Sequence, residues 1–181
     1  MGKSDANSFC SDVSTQKGRA VHDNATASVP QETGALIDHF LTNCHEMHRA
    51  DLASRVPPAE RVEQVHADDP DATKGLARAL TRLAREMEDH MVKEEMILIP
   101  VLRSGGGAGI EHPIAVMRVD HDDHAETITL IRKLTGDLTP PETACGSWPS
   151  LYGGTATLPD EPADHIAQEN NVLLSRLKPA R

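Results

Sequence analysis

Apolar residues return at three- and four-residue steps along much of this chain, and no stretch shows the two-residue alternation of a half-buried strand. From Glu32 onward Leu36, Ile37, Phe40, Leu41, Cys44, Met47 and Leu52 trace one face of a helix. That helix is expected to end before Pro57-Pro58, since proline lacks an amide donor and pushes its predecessor out of helical geometry. A shorter helical stretch from Ala59 to about His66 should come next, stopping at Ala67-Asp68-Asp69-Pro70.

Leu76, Leu80, Leu83, Met87, Met91, Ile97 and Leu98 define a long second helix, ended near Ser104 by Gly105-Gly106-Gly107, with Pro100 loosening its last turn. A third should open at Pro113, where a proline in the first turn costs nothing, and carry Ile114, Met117, His121, Ile128, Ile131 and Leu134 toward Gly136. Pro149, Gly153-Gly154, Pro159 and Pro162 interrupt the chain beyond it, so Ala163 to about Leu177 is the last clean helix. The pattern predicts an all-α four-helix bundle with an interrupted fourth helix. Residues 1–31, rich in Ser, Asn, Asp and Thr, read as a flexible leader, and 32–181 as one domain.

Two segments carry the chemistry. His90-Met-Val-Lys-Glu94 and His165-Ile-Ala-Gln-Glu169 each place a histidine four residues ahead of a glutamate, on one helical face. One such pair is common on a solvent face. Two pairs, joined by other inward-facing histidines, can surround two ions with imidazole nitrogens and bridging carboxylates, so the chain reads as a non-haem di-metal protein.

His45 and His66 are further candidates, but on one straight helix they would lie about 31 Å apart. A turn at Pro57-Pro58 is therefore needed to fold His66 back. His39, His48, His112 and His124 are not required and are assigned surface or supporting roles, and His22 falls in the leader. Asp38, Asp89, Asp120 and Asp164 each precede a histidine, yet neighbouring helix positions diverge by about 100°, so they are expected to be solvated. Met87, Met91 and Met96 read as core filler, as do Trp148 and Tyr152.

Composition narrows the field. With 18 basic against 28 acidic side chains the net charge is -10, and one Trp, one Tyr and two Phe offer little for stacking on bases, so nucleic acid is not a partner. No apolar run approaches the roughly 20 residues of a membrane span. Cys10, Cys44 and Cys145 are odd in number and far apart, which argues against a disulfide framework and for a reducing cytoplasm. His45-Glu46-Met47-His48 lacks the H-E-x-x-H spacing of zinc peptidases, and the His-x-x-x-Glu order is opposite to the Glu-x-x-His of ferritin-like bundles.

The runs Lys74-Gly-Leu-Ala, HMVKEEMILIP (90–100), PIAVMRVDHDDH (113–124), PPETACGSWPSLY (140–152) and DHIAQENNVLL (164–174) resemble the hemerythrin-like domain of the iron-sulfur cluster repair di-iron proteins, over about residues 36–177. The resemblance implies a hemerythrin-like bundle with two non-haem iron ions, oxo- or hydroxo-bridged. His45, His66, His90, His121 and His165 would be ligands, and Glu94 and Glu169 would bridge. It also implies repair of iron-sulfur proteins damaged by nitrosative or oxidative stress, through iron donation or nitric oxide handling. The alternative is a module that binds oxygen or nitric oxide reversibly; reduction of nitric oxide or peroxide at the centre is a third option, and homodimerisation stays open. Members of that family carry Phe-Pro after both His-Glu motifs, where this chain has Ile99-Pro100 and Leu174-Ser175.

Overall fold

The computed structural model describes residues 32–69, 72–105, 109–142, 144, 146–156, 166 and 169. The leader, His22, His165, Asp164 and most of the expected last helix lie outside the described residues. Among those described there are helices and no strands, and no helix is long and apolar enough to cross a membrane.

The first helical rod has three parts: α1 (Thr33–His39), a π-helical segment (Phe40–His45) and α2 (Glu46–Val65). Glu32 caps its start, its carboxylate accepting from the Gly34 and Ala35 amides at 2.9 and 2.7 Å, which satisfies two donors that a first turn leaves orphaned. In the wider turn the Glu46 amide reaches back five residues to the Leu41 carbonyl.

The rod does not break at the prolines: Pro57 and Pro58 both lie inside α2. Tertiary packing overrides the local signal. Pro57 and Pro58 are both exposed, as are Ala53 and Ser54, whose carbonyls lose their amide partners, so water can serve those oxygens. On the opposite face Leu52, Ala59 and Val62 are buried in one apolar cluster, and a break would pull part of that face out of the core. Arg55 ties the rod to the chain's later part by donating to the Gly154 carbonyl at 2.7 Å.

Gly75 opens the second rod with φ 95°, a left-handed conformation that only glycine adopts at little cost. Here α3 (Leu76–Lys93), a second π segment (Glu94–Leu98) and α4 (Ile99–Arg103) run on to Ser104. The Ile99 amide donates to the Glu94 carbonyl, five residues back. This wide turn directly precedes Pro100, whose ring would crowd the preceding turn and whose nitrogen cannot donate. The looseness expected near Pro100 therefore takes the form of a π turn beginning at Glu94.

The third rod, α5 (Glu111–Leu134), starts two residues before Pro113. A further helix, α6 (Ser147–Thr155), occupies the stretch that the sequence marks as interrupted. Pro149 falls in its first turn, where amides have no helical partner to lose. Trp148, Leu151, Tyr152 and Thr155 are buried along one face. The Tyr152 hydroxyl is hydrogen-bonded to Thr73. Met87 and Met91 are core residues as expected, whereas Met96 is 73% exposed and is not.

Apolar packing forms two clusters. One holds Leu52, Ala59, Val62, Leu80, Leu83, Met87, Met91, Ile131 and Trp148; the other holds Leu36, Ile37, Phe40, Leu98, Leu102, Ile110 and Met117. Along each of the three rods, buried histidine or glutamate intervenes between the two: His45 and His48, His90 and Glu94, His121 and His124. The candidate site is thus a polar layer across the bundle.

Candidate metal centre

The π segments position two of the layer's members, since His45 ends the first and Glu94 begins the second. Such wide turns recur at functional sites because they re-aim side chains within a helix. His45 Nε2 lies 3.1 Å from Glu94 Oε2. His90 Nε2 is 3.6 Å from Glu94 Oε1 and 3.7 Å from Glu169 Oε2, and His121 Nε2 is 3.1 Å from the same Glu169 oxygen.

These five residues form two groups, His90–His121–Glu169 and His45–Glu94–Glu169, each with its ligand atoms within 4.8 Å of one another. Glu169 belongs to both. All five are buried, none more than 7% exposed.

The electrostatics ask for a cation. Burial pushes the Glu94 carboxyl up to about 7, the negative charge of Glu169 adds to the rise, and the hydrogen bond with His45 opposes it. Imidazole nitrogens with carboxylate oxygens suit iron and similar transition metals. Two ligands each about 2.1 Å from a shared ion lie at most about 4.2 Å apart, so small closing movements would bring either group to bonding distance. The residues present fit a metal ion in each group.

A supporting shell backs this layer. His45 Nδ1 is 2.8 Å from Glu95 Oε1, and Arg49 donates to that oxygen at 3.0 Å and to Glu88 at 2.7 Å. Burial alone would raise the Glu95 carboxyl, but hydrogen bonds with His45 and Arg49 outweigh it and hold the carboxyl below its usual range. Asp120 Oδ2 lies 3.5 Å from His90 Nδ1 and 2.7 Å from Lys93 Nζ. Asp120 is therefore not the solvated residue expected from its place next to His121. Adjacency in sequence pointed to the wrong histidine, because its neighbour in space comes from another helix. Asp38 and Asp89 are both exposed, as expected.

His45, His90, Glu94, His121 and Glu169 thus come together. His66 does not join either group: continuity of α2 leaves it at the far end of the rod, roughly 31 Å along the axis from His45 at about 1.5 Å per residue. There its ring stacks on Trp148, with centroids 4.8 Å apart. The fold-back that would have brought it to the layer does not occur.

Conversely, His48 and His124, set aside on sequence grounds, are buried at 3% and 1% exposure. Their three-residue spacing from His45 and His121 was the available signal, since such positions share a helix face. Burial, with the nearby His90 and His121 adding to the effect, pushes His124 down to about 4 against an opposing pull from Glu86. His39 instead bonds Asn43 at 2.7 Å, and His112 is exposed.

Comparison with known proteins agrees with this geometry. Residues 36–177 match the hemerythrin HHE cation-binding domain. The iron-sulfur cluster repair protein YtfE of Citrobacter koseri is 43% identical over 141 residues, covering 78% of this chain and 64% of that protein. YtfE of Escherichia coli and of Shigella boydii match to the same extent. The chain therefore spans under two thirds of the length of these relatives. A polar His–Glu layer within a helical bundle and a family match over most of the sequence lead to one assignment: the chain belongs to the hemerythrin family of HHE cation-binding domains.

Proposed function

We propose that this chain holds two iron ions in the layer formed by His45, His90, Glu94, His121 and Glu169, with His165 as a further ligand from outside the described residues, and that it serves the repair of damaged iron-sulfur clusters. The observation that carries the metal assignment is the sharing of Glu169 between two three-residue groups, which suits one carboxylate spanning two ions. The 43% identity to proteins named for iron-sulfur cluster repair supports the biological role. The unit would be the domain 32–181, working in the cytoplasm on damaged iron-sulfur proteins.

Iron, when bound, supplies exchange between ferrous and ferric states. The chain's residues do the rest. Glu94 and Glu169 balance cationic charge where water is scarce. With an ion bound, Glu95 would accept from His45 Nδ1–H and leave the Nε2 lone pair free for the ion on the Glu94 side. Asp120 stands in the same relation to His90 at longer range.

The test is anaerobic purification with metal analysis, followed by incubation with an iron-sulfur enzyme inactivated by nitric oxide or peroxide. About two irons per chain, with recovery of the damaged enzyme, are expected. A protein that keeps both irons through repeated oxygen or nitric oxide cycles and restores nothing would instead be a reversible gas-binding module.

A further inference from the structure

His124 is a buried polar side chain that the five-residue layer leaves unexplained. It is 1% exposed, and neither ring nitrogen has a hydrogen bond of normal geometry among the described residues. Its one polar link is a weak one to the Glu86 backbone, so among the described residues the ring is under-served, and a buried imidazole in that state carries a penalty of lost hydration that a further partner would relieve.

Its surroundings say which kind. Its ring centroid lies 5.2 Å from that of His90 and 6.4 Å from that of His121, and those two rings are themselves 4.8 Å apart. It stands three residues after His121 on the inward face of α5, as His48 stands three after His45 on α2, and His48 is buried as well. Three imidazoles therefore crowd one side of the layer, the side that already holds the His90–His121–Glu169 group.

We propose that His124 is an additional imidazole ligand for a divalent transition-metal ion held on the His90–His121–Glu169 side, so that this side presents three imidazoles. The inference rests on the di-metal reading above and extends it. His124 now stands outside the group whose ligand atoms lie within 4.8 Å, so its ring must swing toward the ion on loading. Removal of a buried imidazole so poorly served among the described residues would in turn ease the metal-free fold, which separates a ligand from a packing residue.

The experiment is an anaerobic Co(II) titration of the full chain and of the His124→Leu and His124→Gln variants, read by bound metal and by the Co(II) visible bands, with thermal melting of the metal-free forms. The wild type is expected to bind two Co(II). Each variant should lose at least about 10-fold in affinity for one of them, with a changed band for that ion, and metal-free His124→Leu should melt no lower than wild type. Two Co(II) bound by both variants at wild-type affinity and with wild-type bands would overturn the role of His124 while leaving the di-metal reading intact. A wild type that binds no Co(II) would overturn both. Should the variants not fold, a crystal structure of the Co(II)-loaded wild type decides: a His124 nitrogen about 2.1 Å from the ion is the expected result, and one beyond about 3 Å overturns it.

Discussion

Glu95 Oε1 lies 2.8 Å from His45 Nδ1, while the other ring nitrogen of His45 faces Glu94 at 3.1 Å. Two successive glutamates thus hold the two nitrogens of one imidazole, one on the side of the shared layer and one behind it. Glu95→Ala should lower affinity for one of two metal ions by about 10- to 100-fold. Arg49→Ala should do so more mildly, since Arg49 only steadies Glu95. Competition with a chromophoric chelator measures both, and unchanged affinity in Glu95→Ala would show that His45 does not need its orienting partner.

Glu169 is the residue whose loss should reach both ions, because each three-residue group includes it. Glu169→Ala is expected to reduce metal content from about two toward none, whereas His121→Ala, confined to one group, should spare the ion on the His45 side. Elemental analysis after gel filtration distinguishes these outcomes; equal losses in the two variants would argue against a shared carboxylate.

Stability of the metal-free protein should depend on pH through Glu94, whose carboxyl is raised from 4.5 to about 7. A raised carboxyl stabilises the fold fully below about 4.5, and this contribution is lost as pH rises through about 7. Glu94→Gln, which mimics the protonated acid, should match the wild type near pH 4 and exceed it above pH 7 by on the order of 2 kcal/mol. His124, lowered to about 4, works in the opposite direction, its contribution being lost as pH falls from 6.5 through about 4, and it cancels in the comparison. Chemical denaturation of both chains at several pH values supplies the measurement. A pH-independent difference would contradict it.

Pro58→Ala should stabilise the protein. It restores an amide donor within a helix that runs unbroken on either side, and an interior proline costs about 3 kcal/mol relative to alanine. Part of that gain is offset by a more flexible unfolded chain. A melting temperature that falls would indicate a chain that bends at this point, and would reopen the position of His66.

The His-x-x-x-Glu pairs made the centre legible because helical periodicity alone brings His90 and Glu94 to one face. Helix existence was equally legible for the rods beginning at Glu32 and near Leu76, where apolar spacing is sustained over several turns. What local rules missed depended on which face met the core. Pro57-Pro58 reads as a break until its place on the outer side of the rod is known, and α6 was masked by Pro149 and Gly153-Gly154. Yet Trp148, Leu151, Tyr152 and Thr155 keep the three- and four-residue spacing of a buried helical stripe. Glu95 and Asp120 were hidden for another reason: each supports a histidine on a different rod, and no spacing within one helix encodes that.

The division of the apolar interior by a slab of histidine and glutamate bears on folding cooperativity. Deprived of cations, the end built from Leu36, Ile37, Phe40, Leu98 and Leu102 meets the rest across a layer of buried histidine and glutamate. It then behaves as a separate foldon, opening at lower free energy than the half centred on Leu80, Leu83 and Trp148. Amide exchange would show two tiers of protection without metal and a single tier with it, so that the ions act as the fastening between halves that hydrophobic contact alone does not join.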